Sequence, residues 1–120
     1  MVIGKHICGS YNGFMLDSAR DKYRFYVSSN PFLTGTSTYR DGNWHFVVAV
    51  HNGSTMYLYV DGELENSMVK SHTNTNSINI SIGRASSGCG FFEGMIDDVR
   101  IYNRSLSESE IQELYSTAWI

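Results

Sequence analysis

The chain of 120 residues has one proline, two cysteines and no run of basic residues. With one proline, almost every residue keeps the N–H that a hydrogen-bonded ladder needs. Two cysteines, Cys8 and Cys89, with no close set of further ligands, exclude a structural zinc site. They read either as free buried thiols or as a Cys8–Cys89 bridge across the Gly- and Ser-rich run around Cys89. Nine Lys and Arg against twelve Asp and Glu give a formal charge of −3, which argues against a surface that binds nucleic acid by neutralising phosphates. The longest apolar run, Phe46–Val50, is far short of the roughly 20 residues a membrane-spanning helix requires, so no membrane insertion is expected. The stretch from Met1 to His6 has neither the apolar core nor the small-residue cleavage pattern of a signal peptide, which leaves localisation open. The four histidines are scattered and no serine or cysteine elbow accompanies them, so nothing points to a nucleophilic triad.

What is present is aromatic residues at 13% and eleven glycines, a composition suited to a sheet protein with many tight turns in one domain. Residues 2–8 and 11–17 read as strands joined by Gly9-Ser10. Tyr23, Phe25 and Val27 alternate with Lys22, Arg24 and Tyr26, a half-buried strand that Ser28–Pro31 ends. Asn43 to His51 is apolar on both sides, since Phe46, Val48 and Val50 oppose Val47 and Ala49, so both faces ask for cover. Asn52-Gly53 and Asp61-Gly62 are hairpin turns flanking a strand with Met56, Leu58 and Val60 on one face and Tyr57 and Tyr59 on the other. A polar strand returns from about Leu64 to Lys70, and Ile78, Ile80 and Ile82 alternate in a further one.

The stretch Phe91–Asn103 reads as a long strand, with Met95, Asp97, Val99 and Ile101 on one pleat face and Ile96, Asp98, Arg100 and Tyr102 on the other. Beyond it, Ser107 and Glu110 form a capping box with Leu106 and Ile111 as its hydrophobic staple. A short helix therefore starts at Ser107, with Ile111, Leu114 and Tyr115 as its apolar stripe, and covers one end of a sheet.

Phe92-Glu93-Gly94-Met95-Ile96-Asp97-Asp98-Val99-Arg100-Ile101-Tyr102-Asn103, running on to Glu110-Ile111, resembles the closing signature of laminin-G-like, concanavalin A-like jelly rolls. Trp44-His45 leading into Tyr59-Val60-Asp61-Gly62 is similar to the middle hairpin of that family. The resemblance is specific from about Trp44 onward. It implies an all-β, antiparallel two-sheet sandwich with a short C-terminal helix, used mainly to bind sugars or proteins at the cell surface. It also implies that strands usually preceding residues 2–8 are missing here. An aspartate at the position of Asp97 often helps hold calcium in such sandwiches, together with backbone carbonyls. Its other role would be to accept backbone N–H bonds.

Asp61, Glu63 and Glu65 superficially resemble the carboxylates of jelly-roll glucanases, but Asp-Gly is what a hairpin tip requires in any case. The expected function is therefore non-catalytic recognition of a glycan or a protein, with a glycoside hydrolase or lyase the least favoured class. Tyr26, Tyr57, Tyr59, Arg100 and Tyr102 are the candidate ligand-binding residues, as rings for stacking and a cation for hydroxyls. The competing class is an assembly protein, a trimmed sandwich that forms a homodimer or larger oligomer through Phe46, Val48 and Val50.

Overall fold

A computed structural model describes residues 1–5, 13–28, 31–71, 78–84, 88 and 90–117. The paired cysteine alternatives, Cys8 and Cys89, lie outside them, as do the turn at Gly9-Ser10, His6 and His72.

Among the described residues, eight strands and one helix follow in chain order: β1 (Ile3–Gly4), β2 (Phe14–Ala19), β3 (Lys22–Val27), β4 (Leu33–Thr34), β5 (Val47–His51), β6 (Thr55–Val60), β7 (Glu63–Val69), β8 (Ser81–Ile82) and α1 (Glu108–Thr117). They form a five-stranded sheet in the order β4-β3-β2-β1-β8 and a three-stranded sheet in the order β5-β6-β7. Every pairing is antiparallel. The expected all-β two-sheet sandwich with a short C-terminal helix is what the chain forms.

Turn chemistry sets the registers. Asp61 and Gly62 have φ of 53° and 82°, and Val60 pairs Glu63, so Asp-Gly makes the two-residue hairpin expected of it. Arg20 and Asp21 make a second such turn at φ 50° and 66°, with no glycine to announce it.

Pleat alternation then sorts the side chains. Leu16, Tyr23, Phe25, Val27 and Leu33 of the larger sheet meet Met56, Leu58 and Val60 of the smaller one in the central core. Six strand residues of β3 and β6 thus drive the stacking, each worth about 1.5–3 kcal/mol when fully removed from water. On the outer face of the smaller sheet, α1 lays Ile111 against Val50 and Tyr59, with Phe46, Val48, Tyr57 and Leu106 packed around them. The two-sided apolar strand is therefore covered on its second side by the chain's own helix. On the outer face of the larger sheet, Met1 and Phe32 close over Met15 and Tyr26.

Three expectations are corrected. Asn43–Phe46 is not strand, because His45 is tied to the hairpin tip as described below. Ile78 and Ile80 fall outside β8, which pairs β1 over only two residues. Most consequentially, residues 91–103 form no strand. Phe92 N–H bonds the Gly83 carbonyl at 2.8 Å, and the segment then runs along the surface. A period-two pattern marks a chain ready to pair, but a strand exists only where a neighbour supplies donors and acceptors. Among the described residues this segment meets no such neighbour.

Candidate functional site

The candidate ligand residues fall in three separate places. Tyr26 is fully buried beneath the outer face of the larger sheet, edge-on to Phe32 at 5.0 Å. It offers no surface to a ligand. Tyr59 is buried and Tyr57 half-buried under α1, together with Phe46, Val48 and Val50. Burial first, and then the Glu108 charge, push the Tyr59 hydroxyl up from its ordinary value. A stacking face for sugars and a dry self-contact through Val48 were both expected of this surface, and the helix occupies it. Arg100 and Tyr102 alone stand exposed, side by side on the 91–103 segment. Alternation correctly separated the two faces of each sheet; it carries no information about which outer face a helix or loop will cover.

The acids at the hairpin are structural. Asp61 Oδ1 accepts the Phe46 N–H at 2.9 Å, while Oδ2 lies 2.9 Å from His45 Nδ1. The other ring nitrogen of His45 lies 2.8 Å from Asp41 Oδ1. With both nitrogens committed to carboxylates, the imidazole has none left to exchange a proton with a substrate. Burial pulls its pKa down, but the bonds to Asp61 and Asp41 outweigh this and raise it above the ordinary value. Tyr23, edge-on at 6.4 Å, has its hydroxyl pushed up to about 12 by burial and then by the Asp61 and Asp41 charges.

Glu65 has a different task. Leu58 pairs Asn66 and Tyr59 pairs Leu64, so Glu65 is the extra residue of a bulge. A bulge re-aims its side chain, and here the carboxylate reaches the loop after β4. Oε1 accepts the Thr36 and Ser37 N–H groups, both at 3.0 Å, and Oε2 accepts their hydroxyls. Burial raises the carboxyl pKa, and these bonds, those of Ser37 foremost, bring the net value below the ordinary one. A Cβ on Gly35 would stand 2.7 Å from Oε1 and 3.3 Å from Leu58 Cδ2, so a side chain there would push the carboxylate off the loop. Glu63 is exposed at the tip. The sequence pattern missed both the His45 clamp on Asp61 and Asp41 and the Glu65 staple on Thr36 and Ser37, although the four-residue spacing of Asp41 and His45 was a visible signal.

Asp97, the candidate calcium ligand, is exposed and its Oδ1 accepts the Asp98 N–H at 2.8 Å. Among the described residues no three His, Cys, Asp or Glu side chains come together as a metal would need.

The exposed apolar side chains concentrate instead on one run of chain. Ile80 and Ile82 are 46% and 52% exposed, Phe91 66%, Met95 75%, Val99 41%, Ile101 60% and Tyr102 42%. They lie just before and on β8, at one edge of the larger sheet, and along the segment that follows it. Within the segment, Asp98 has φ of 52°, and its Oδ1 accepts Arg100 Nε–H at 3.0 Å.

Comparison with known proteins agrees with this architecture. A search of curated proteins finds no match. Among solved structures, an S-layer domain-containing protein from Clostridium thermocellum is similar, with 27% identity and a TM-score of 0.58. The alignment covers 91% of this chain and 59% of that one, so the chain spans less than two thirds of its length. The family model described as the concanavalin A-like lectin/glucanases superfamily matches residues 3–112. The chain belongs to that superfamily.

Proposed function

We propose that this domain is a non-catalytic recognition module that works in assembly, by pairing the 91–102 segment with a strand of another protein molecule, a second copy of the chain in the first instance. The observation that carries this is the pairing-ready run from Met95 to Tyr102, alternating in pattern, exposed except at the half-buried Ile96, and outside any ladder among the described residues. Strand addition at an open edge gives affinity through backbone hydrogen bonds and specificity through alternate side chains. The apolar members of the run add burial, and contiguous exposed apolar surface marks interaction sites. Two further observations support the reading. Asp61 and Glu65 are held in structural hydrogen bonds, which leaves Glu63 without a second carboxylate for hydrolysis. The similar solved structure is that of an S-layer domain-containing protein, whose name carries no enzymatic activity.

Light scattering on the purified chain at tens of micromolar tests the reading. The expected result is a dimer or larger species that Ile101→Lys converts to monomer. Because Ile101 is exposed in the single chain, the substitution should leave the monomer folded, with a melting temperature that no longer rises with protein concentration as that of the unaltered chain does. A sharp monomer mass for the unaltered chain, with no concentration dependence, defeats it.

A further inference from the structure

The turn between β5 and β6 brings a base, a backbone amide and three hydrogen-bond donors around one asparagine side chain. Asn52 N–H donates to the Thr55 carbonyl at 3.2 Å, which makes Gly53 and Ser54 the central pair of the turn, with Gly53 at φ 101°. His51, the last residue of β5, sets its ring against this turn. Gly53 N–H donates to His51 Nδ1 at 3.3 Å, and the other ring nitrogen, Nε2, lies 2.6 Å from the Lys70 carbonyl. A carbonyl only accepts, so Nε2 carries the proton and Nδ1 presents its lone pair to the Gly53 amide. The imidazole is held in one tautomer by a fixed acceptor, as a catalytic histidine is.

The Asn52 side chain meets groups of the opposite kind. Its Oδ1 accepts the Ser54 and Thr55 N–H groups, at 3.0 and 2.9 Å, and the Ser54 hydroxyl at 3.1 Å. Lys70 N–H donates to the Ser54 carbonyl at 2.8 Å, so the chain leaving β7 fixes the peptide group that carries the Thr55 N–H. Donors held around a carbonyl oxygen stabilise the negative charge that grows there when its carbon is attacked. The Gly53 nitrogen is the next backbone atom to that carbon's residue, and a Cβ on Gly53 would meet nothing within 4 Å, so its approach is uncrowded. Asn52, Gly53 and Ser54 are exposed, which gives water access to the turn.

We infer that Asn52 is a site of self-catalysed deamidation, with His51 as its general base. His51 Nδ1 takes the Gly53 amide proton as the Gly53 nitrogen bonds the Asn52 Cγ, and the donors on Oδ1 hold the oxyanion. The Cγ–Nδ2 bond then breaks, with Nδ2 taking the proton from His51 and leaving as ammonia. Water opens the resulting succinimide at either carbonyl, to an aspartyl or an isoaspartyl residue at position 52. Each route adds one carboxylate to a chain of formal charge −3. The isoaspartyl route also lengthens the backbone by a methylene inside the hairpin. The inference goes beyond strand pairing and stands without it.

Peptide mapping by mass spectrometry, on the chain held for weeks at neutral pH, tests it. The chain has two Asn-Gly pairs, Asn12-Gly13 and Asn52-Gly53, so Asn12 serves as an internal reference. Asn52 should deamidate faster in the folded chain than in the same chain unfolded in urea. His51→Gln keeps a donor for the Lys70 carbonyl but loses the base. It should slow the folded rate at Asn52 by about tenfold, a small share of the roughly 10²–10⁴ that a positioned base contributes, and leave the Asn12 rate unchanged. Ser54→Ala removes one of the three donors and should slow Asn52 several-fold, again without effect on Asn12. Melting curves establish that each variant is folded; if His51→Gln is not, Ser54→Ala and the ratio of folded to unfolded rates decide. A folded rate no higher than the unfolded one, indifference of Asn52 to both substitutions, or equal slowing at Asn12 would each overturn the assignment.

Discussion

His45 Nδ1 lies 2.9 Å from Asp61 Oδ2, so one imidazole fastens the segment leading into β5 to the hairpin tip between β6 and β7. The His45 pKa is raised in the folded chain. A raised pKa stabilises the fold fully below the unfolded value, about 6.5, and that contribution is lost as pH climbs through the folded value. The melting temperature of the unaltered chain should therefore fall, relative to His45→Gln, as pH rises from 6 to 9. The difference between the two proteins is the relevant measure, because the Met1 ammonium, its pKa lowered mainly by burial, titrates nearby with the opposite sign. Parallel pH curves would show that the clamp carries no charge.

The Glu65 staple joins β7 to the loop after β4, and so ties the edge of one sheet to the edge of the other. Glu65→Ala removes an acceptor from two backbone N–H groups and should cost about 1–2 kcal/mol in urea unfolding. Its pKa is lowered, so the contribution is present above the unfolded value of about 4.3 and is lost as pH falls through the folded one. The destabilisation by Glu65→Ala should accordingly shrink in acid. A constant difference from pH 3 to 7 would show that the neutral acid holds the loop equally well.

The helix was legible down to its individual contacts. Ser107 N–H donates to Glu110 Oε1 at 3.0 Å, and Glu110 N–H to Ser107 Oγ at 3.2 Å, the reciprocal pair that the spacing of the two residues announces. The core faces of β3 and β6 were legible for the same reason, since alternation is a local property. What covers an outer face is not local. Tyr26 differs from Tyr57 only in meeting Met1 and Phe32 rather than α1, and nothing in its own strand records that. The 91–103 segment shows the converse limit, for its pattern states a propensity while pairing depends on a neighbour.

Ile111 is fully buried between α1 and the outer face of the smaller sheet. Ile111→Ala should cost about 2–5 kcal/mol through lost burial and the space left behind. Because the helix also shields Val50 and Tyr59, the variant should bind hydrophobic dyes more strongly before it unfolds. A loss below 1 kcal/mol, with no extra dye binding, would mean that the sheet face is stable uncovered.

The sharpest prediction concerns the register in which two copies pair. An antiparallel two-fold centred on Val99 sets Asp98 opposite Arg100 of the second copy, twice over, and sets Ile96 opposite Tyr102. Centring on Asp98 would instead oppose two like charges, which is destabilising. In the single chain Asp98 stands at φ 52° and pairs with its own Arg100. A left-handed non-glycine costs roughly 1–2 kcal/mol, and extension into a ladder relieves it while keeping the charges matched. Asp98→Arg should therefore weaken the dimer, since it sets Arg against Arg100, and Arg100→Asp should weaken it in the same way. The double exchange restores opposite charges across the two-fold and should recover most of the affinity in sedimentation equilibrium. Failure of the double exchange to outperform either single change would rule out this register, while leaving the dimer mass itself to be judged by the Ile101→Lys comparison.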